Sequence, residues 1–168
     1  MPLRPKSLRA EPRIARSQET FCNTVNVADD MKVHVNLPVS DLERSVGFYG
    51  TLLRTAPLKH YDDYALFVSE DPGIELALKL EPNPAVDRRT HFGIVAGSAD
   101  DIQAAAARLQ DAGFEAELQL NKTCCYARQT KVWTKDPDGR NWEIYVVHEE
   151  TAVRKIPADG VKLSSSTL

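Results

Sequence analysis

Cysteine is scarce in this chain. Only Cys22, Cys124 and Cys125 occur, and two of them are adjacent. That count and spacing cannot make the even framework of a small disulfide-stapled secreted domain, and no apolar signal-peptide core precedes them. Thiols outside any framework point to a reducing cytoplasm. Long apolar runs are missing too. The longest, such as Ala104 to Ala107 and Ile144 to Val147, are far too short to span a bilayer, so a soluble protein is expected. There is no excess of positive charge either. A net charge of −3 leaves no basic footprint for nucleic acid or for an anionic membrane surface. What remains is an ordinary globular composition, 42% hydrophobic and 27% charged. A folded segment of roughly 120 residues buries close to two-thirds of its unfolded surface without covalent staples.

Hydrophobic patterning is uneven along the chain. Residues 1–30 carry Pro2, Pro5, Pro12, Arg4, Arg9, Arg13 and Arg16 with no sustained period. An organelle transit peptide is disfavoured by Glu11, Glu19, Asp29 and Asp30. A disordered extension, or a start assigned too early with Met31 as the true one, is expected. Residues 151–168 end in Ser164, Ser165, Ser166 and Thr167 and are expected to form a flexible tail. The folded domain is thereby expected over 31–150.

Within that domain a pattern occurs twice. Val33 to Leu37 is β-branched and alternating, as in a strand. Ser40 and Asp41 are N-cap candidates for a helix, with Glu43 in its first turn and Leu42, Val46, Tyr49, Leu52 and Leu53 at helical spacing. Tyr64 to Val68 and Ile74 to Leu80 follow as strands, separated by the Asp71-Pro72-Gly73 turn. Thr90 to Val95 then begins a second round. Ser98 caps a helix through Ile102, Ala105, Ala106 and Leu109 that Gly113 ends. Strands are expected at Phe114 to Leu120, Lys131 to Thr134 and Trp142 to Val147, the last after an Asp136-Pro137-Asp138-Gly139 turn. The fold class is α+β, two βαβββ modules.

When the two halves are aligned, His34 falls on His91, and Ile74-Glu75-Leu76 falls on Trp142-Glu143-Ile144. Paired halves would bring these positions to a shared axis. Imidazole and carboxylate suit divalent iron, manganese, nickel or zinc. A lone strand histidine is more often a core residue. Glu143 says more, because a carboxylate between Trp142 and Ile144 is costly to bury unless paired. His60, in a polar stretch, and His148, at a strand end, read as surface residues.

Two βαβββ halves carrying His34, His91 and Glu143 resemble the vicinal-oxygen-chelate superfamily (glyoxalase I, extradiol dioxygenases, fosfomycin-resistance enzymes, bleomycin-binding proteins). Asp136 to Glu143 is similar to its closing-strand motif. The resemblance implies a cupped sheet around one divalent metal with positions left open for substrate, and His34, His91 and Glu143 as catalytic metal ligands. A homodimer is also expected, since pairing of modules between chains is common in the superfamily. Thr123-Cys124-Cys125-Tyr126-Ala127 followed by Lys131-Val132-Trp133, together with Asn36 to Leu42, resembles its cadmium-induced and arsenic-induced (CadI/ArsI) branch. The activity this implies is cleavage of the carbon–arsenic bond in trivalent organoarsenicals, using Fe(II) as cofactor and dioxygen as co-substrate, to give arsenite.

Adjacent cysteines suit such a substrate. Trivalent arsenic is soft and prefers thiolate to oxygen. An arsenical with one As–C bond can accept two thiolates, and Cys124 and Cys125 could supply both as substrate-binding residues. Taken alone, two buried structural cysteines are the commoner case. Zinc fits poorly without C-x-x-C spacing, and a bond between neighbours needs a strained ring. Neighbouring strand residues point to opposite faces, so the pair is expected in an irregular loop across Asn121 to Thr130. Lys131 and Tyr126 could assist oxygen chemistry or orientation, or lie at the surface. Glu75 stays open: inward, it could be a fourth ligand and favour a glyoxalase-type nickel or zinc lyase or isomerase; outward, it is a surface residue. A third class is a non-catalytic protein that sequesters cadmium or arsenic through its thiols.

Overall fold

The computed structural model describes residues 32–124 and 126–152. The expected N-terminal extension, Met31, Cys125 and residues 153–168 of the expected tail lie outside the described residues. The first module runs β1 (Val33–Val39), α1 (Leu42–Leu53), β2 (Lys59–His60), β3 (Tyr64–Ser69) and β4 (Ile74–Leu80). The second runs β5 (His91–Val95), α2 (Ala99–Asp111), β6 (Glu117–Cys124), β7 (Ala127–Lys135) and β8 (Asn141–Glu150). The α+β architecture of two βαβββ modules is as the sequence pattern implies. Among the described residues no helix is long and apolar enough to cross a membrane.

Each helix is capped as its sequence dictates. The Asp41 side chain accepts from the Arg44 backbone N–H, and Ser98 from that of Asp101, so each satisfies a donor the first turn leaves orphaned. Past α2, Gly113 adopts φ +82°, a left-handed conformation that glycine enters without strain.

The strands form two four-stranded sheets, ordered β1-β4-β3-β2 and β5-β8-β7-β6. In each, the opening strand lies parallel to the closing strand and at the edge, while the other neighbours are antiparallel. Alternation then sorts the faces. Leu37, Val39, Leu76 and Leu78 of one sheet, and Val132, Trp142 and Ile144 of the other, join Phe48, Tyr49, Leu52, Ile102 and Leu109 of the helices in a shared core. Aromatic edges knit it: Phe48 meets Tyr49 and Phe114 edge-on, and Phe92 stacks on Trp142. The opposite faces carry His34 and Glu75 in one sheet, His91 and Glu143 in the other.

Four local expectations change. The two-residue β2 is too short to leave a periodic signal. Strand β6 begins at Glu117 rather than Phe114, because Phe114 packs into the core from the loop that follows α2. The described residues between Asn121 and Thr130 are paired strand ends rather than an irregular loop: Lys122, Thr123 and Cys124 pair with Gln129, Arg128 and Ala127. Their irregularity is confined to a register shift between Gln119 and Lys122, another between Arg128 and Gln129, and left-handed Asn121 and Tyr126. The two halves also superpose with a slip. His34 lies opposite Glu75, but Gly93, not His91, lies opposite Glu143. A two-residue slip preserves parity, so both histidines keep to the carboxylate-bearing faces.

The modules are joined through the turn before β8. Asp136 Oδ2 accepts from the Tyr49 hydroxyl at 2.7 Å and from Arg140 Nη1 at 2.9 Å; Arg140 Nη2 also donates to the Pro38 carbonyl, and Asp138 accepts from Ser40. Burial first, and the negative charge of Asp136 second, push the Tyr49 phenol well above its ordinary value. A raised acid favours the neutral folded form. Its contribution is complete below the unfolded value of about 10 and is lost as pH rises beyond it. Thermal melts of the wild type should therefore lose midpoint more steeply above about pH 10 than melts of Tyr49→Phe.

Candidate metal centre

In the first module, strands β1 and β4 set His34 and Glu75 opposite each other. His34 Nδ1 donates to Glu75 Oε1 at 2.8 Å, and both side chains are about half exposed, His34 on the edge strand and Glu75 on the strand next to it. Glu75 thus shares the His34 face, away from Leu37, Leu76 and the core, and is partly exposed there. A carboxylate on Nδ1 fixes the neutral ring as the tautomer whose Nε2 is an acceptor, the form in which imidazole ligates metal.

The second module is more enclosed. Glu143 lies with 11% of its side chain exposed, and its Oε1 is 3.4 Å from His91 Nε2. Its Oε2 accepts from Lys131 Nζ at 2.8 Å. Trp133, two residues along β7, packs edge-on to the His91 ring. On β5, a Cβ at Gly93 would come within 3.2 Å of the Tyr145 ring and 3.6 Å of Glu143 Oε1, so the bare backbone keeps space beside that oxygen.

These donors fit a divalent ion chemically. Two ligands each about 2.1 Å from one ion stand about 3.0 Å apart at a right angle and about 3.4 Å apart at a tetrahedral one. The His91 Nε2 to Glu143 Oε1 separation lies in that range. Within the described residues, however, these donors fall into two separate pairs, His34 with Glu75 and His91 with Glu143. Among the described residues no three His, Cys, Asp or Glu side chains converge on one point. The sequence alignment expected His34, Glu75, His91 and Glu143 on a shared axis. Within the chain they sit on two sheets joined through their helical faces, with β1 and β5 at the edges.

Residues 33–144 match the model of the Glyoxalase/Bleomycin resistance protein/Dioxygenase superfamily. The chain belongs to that superfamily. A solved glyoxalase/bleomycin resistance protein/dioxygenase from Alicyclobacillus acidocaldarius shares the fold, with a TM-score of 0.56, 19% identity, and coverage of 73% of this chain and 96% of that one. Two curated relatives are nearer in sequence. The trivalent organoarsenical cleaving enzyme of Bacillus sp. strain MD1 is 40% identical over 113 residues, 67% of this chain and 70% of the relative. The cadmium-induced protein CadI of Mycobacterium tuberculosis H37Rv is 38% identical over 116 residues, 69% and 76% respectively.

Within this superfamily member, the other singled-out residues fall as follows. Cys124 ends β6, half-buried, opposite Ala127; Cys125 lies outside the described residues. Tyr126 is exposed and left-handed at the same hairpin end. His60 pairs with Glu43 at 2.9 Å, and His148 shares a 2.8 Å hydrogen bond with Thr130. Lys131 is not a surface residue: only 7% of its side chain is exposed. The signal for that was present in the sequence, a lysine set between Thr130 and Val132 in a β-branched run. The Gly93 clearance left no such signal.

Proposed function

We propose that this chain is a non-haem Fe(II)- and dioxygen-dependent C–As lyase that converts trivalent organoarsenicals to arsenite. The observation that carries the proposal is the buried Glu143 carboxylate facing the half-exposed His91 imidazole, set in the same sheet as the strand that ends at Cys124. Relatives with 40% and 37% identity bear the name trivalent organoarsenical cleaving enzyme, which supports the substrate class.

His34, His91 and Glu143 would hold the metal, a two-histidine, one-carboxylate set. When bound, ferrous iron supplies open coordination positions for dioxygen and substrate. The protein's own part is to bind and orient. Cys124 and Cys125 take the arsenic as a dithiolate, fixing its carbon substituent relative to the site and converting an encounter into a local reaction. The β6–β7 hairpin must bend for this. From Trp133, opposite Glu143, to Ala127, opposite Cys124, is a run that would span roughly 20 Å if straight. The two register shifts supply the bend and added twist that a shorter separation requires.

Because one chain offers two half-sites, the complete site is assigned to a homodimer, with the β1 edge of one copy beside the β5 edge of another. His34 then comes from one copy, and His91 with Glu143 from the second. His34→Ala and Glu143→Ala chains, each inactive alone, should recover about a quarter of wild-type arsenite release when co-expressed. Half of random dimers are mixed, and each mixed dimer holds one intact site of two. No recovery, with mixed dimers demonstrated by mass, would contradict sharing.

A glyoxalase-type metal-dependent lyase or isomerase is the second reading, favoured by Glu75 lying on the His34 face. Arsenite release from a methylated arsenical separates the two. Loss of that release in His91→Ala, with arsenical binding retained, separates turnover from thiol sequestration.

A further inference from the structure

A lysine whose side chain is 7% exposed needs a reason to be there. Lys131 and Trp133 alternate along β7 onto one face, across from Tyr145 and Glu143 of β8. The contacts close on themselves. Lys131 Nζ donates to Glu143 Oε2 at 2.8 Å and stands 5.2 Å from the Trp133 ring centre. Trp133 meets the His91 ring edge-on at 5.2 Å, and His91 Nε2 returns to Glu143 Oε1 at 3.4 Å. Each of the four side chains touches two others.

Stability does not account for this ring. A buried ion pair seldom outperforms well-packed apolar residues of the same volume. What the pair fixes is direction. With Oε2 held by the ammonium, Glu143 cannot turn both oxygens toward His91, and Oε1 alone faces the imidazole. Gly93 leaves the space beside Oε1 clear, as a side chain there would not.

We propose that Lys131 is a positioning residue that holds Glu143 as a one-oxygen metal ligand. The inference rests on the metal reading above and deepens it. A carboxylate free to bind through both oxygens would fill a coordination position that substrate or co-substrate needs. Lys131, by occupying Oε2, keeps that position open. Outer partners of ligands typically change metal affinity about 10–100-fold when removed.

The test uses the full chain and Co(II) as the probe, whose visible d–d bands weaken as coordination number rises. Lys131→Met should change Co(II) affinity about 10–100-fold and give less intense visible bands at saturation, as Oε2 joins Oε1 on the metal. Lys131→Gln, uncharged and shorter in reach, should shift the same way and guards against a Met variant that fails to fold. Lys131→Arg should restore affinity and spectrum. Unchanged affinity and bands in both loss variants, folded by near-ultraviolet circular dichroism, would overturn the role of Lys131 while leaving the metal reading intact. A wild-type chain that gives no Co(II) bands, or bands that survive His91→Ala, would overturn both.

Discussion

Glu143→Ala should abolish arsenite formation and also lower thermal stability, and adding Lys131→Met should recover only the stability. The reasoning starts from burial. Glu143 and Lys131 are 11% and 7% exposed and hold each other at 2.8 Å. Deleting one partner strands the other's charge, at a cost of about 3–5 kcal/mol. Deleting both leaves a patch without charge beside Trp133 and Tyr145 and removes most of that cost. Activity follows different rules, because no neighbour replaces the carboxylate beside His91. The double variant should melt within a few degrees of wild type and remain inactive. Differential scanning calorimetry together with arsenite chromatography checks both halves of the expectation.

The second large effect lies away from these residues. Asp136→Ala should destabilise the domain by about 3 kcal/mol, because it strips a buried guanidinium of its nearer carboxylate and leaves only Asp138, at 3.4 Å. Asp136 accepts from the Tyr49 hydroxyl, from Arg140 Nη1, and from the backbone N–H groups of Asp138 and Arg140 at 3.1 and 2.7 Å. Arg140 in turn reaches the Pro38 carbonyl of the other module. Loss of the carboxylate thus loosens the turn before β8 and the join between modules together. Asp136→Asn, isosteric and still able to accept, should cost less, with urea denaturation giving the order wild type, Asn, Ala. An Ala variant as stable as wild type would mean that the modules are held by the aromatic core alone.

Much of the fold was legible because its signals are local. Alternation in Val33 to Leu37 and caps at Asp41 and Ser98 are written in neighbouring residues, and the structure has them where the pattern puts them. The Asp136 to Gly139 turn is equally local; Gly139 N–H closes on the Asp136 carbonyl at 2.9 Å. Strand limits were less legible. Phe114 is apolar because it packs on Phe48, not because it lies in a ladder. Sequence alternation reports which residues share a face, and His34 shares one with Glu75 as His91 does with Glu143. It does not report which strand edge pairs with which, so the split into half-sites could not be read from it. Nor could the two-residue slip between the modules, since a slip of even length leaves parity unchanged. Burial of Lys131 depends on Glu143, twelve residues away along the chain, and such long-range pairing leaves only the weak trace of a charge inside a β-branched run.

We propose that the buried Glu143 carboxylate, the half-exposed His91 imidazole beside it and the vicinal thiols serve one reaction. That claim is tested most directly by loading the chain with Fe(II) without air, then adding air and a trivalent methylated arsenical, and separating the arsenic species by chromatography. Inorganic arsenite should appear with wild type and be lost in both Cys124→Ser and Glu143→Ala. Tight binding of the arsenical with no arsenite released would contradict the account and leave a thiol-based sequestering protein in its place.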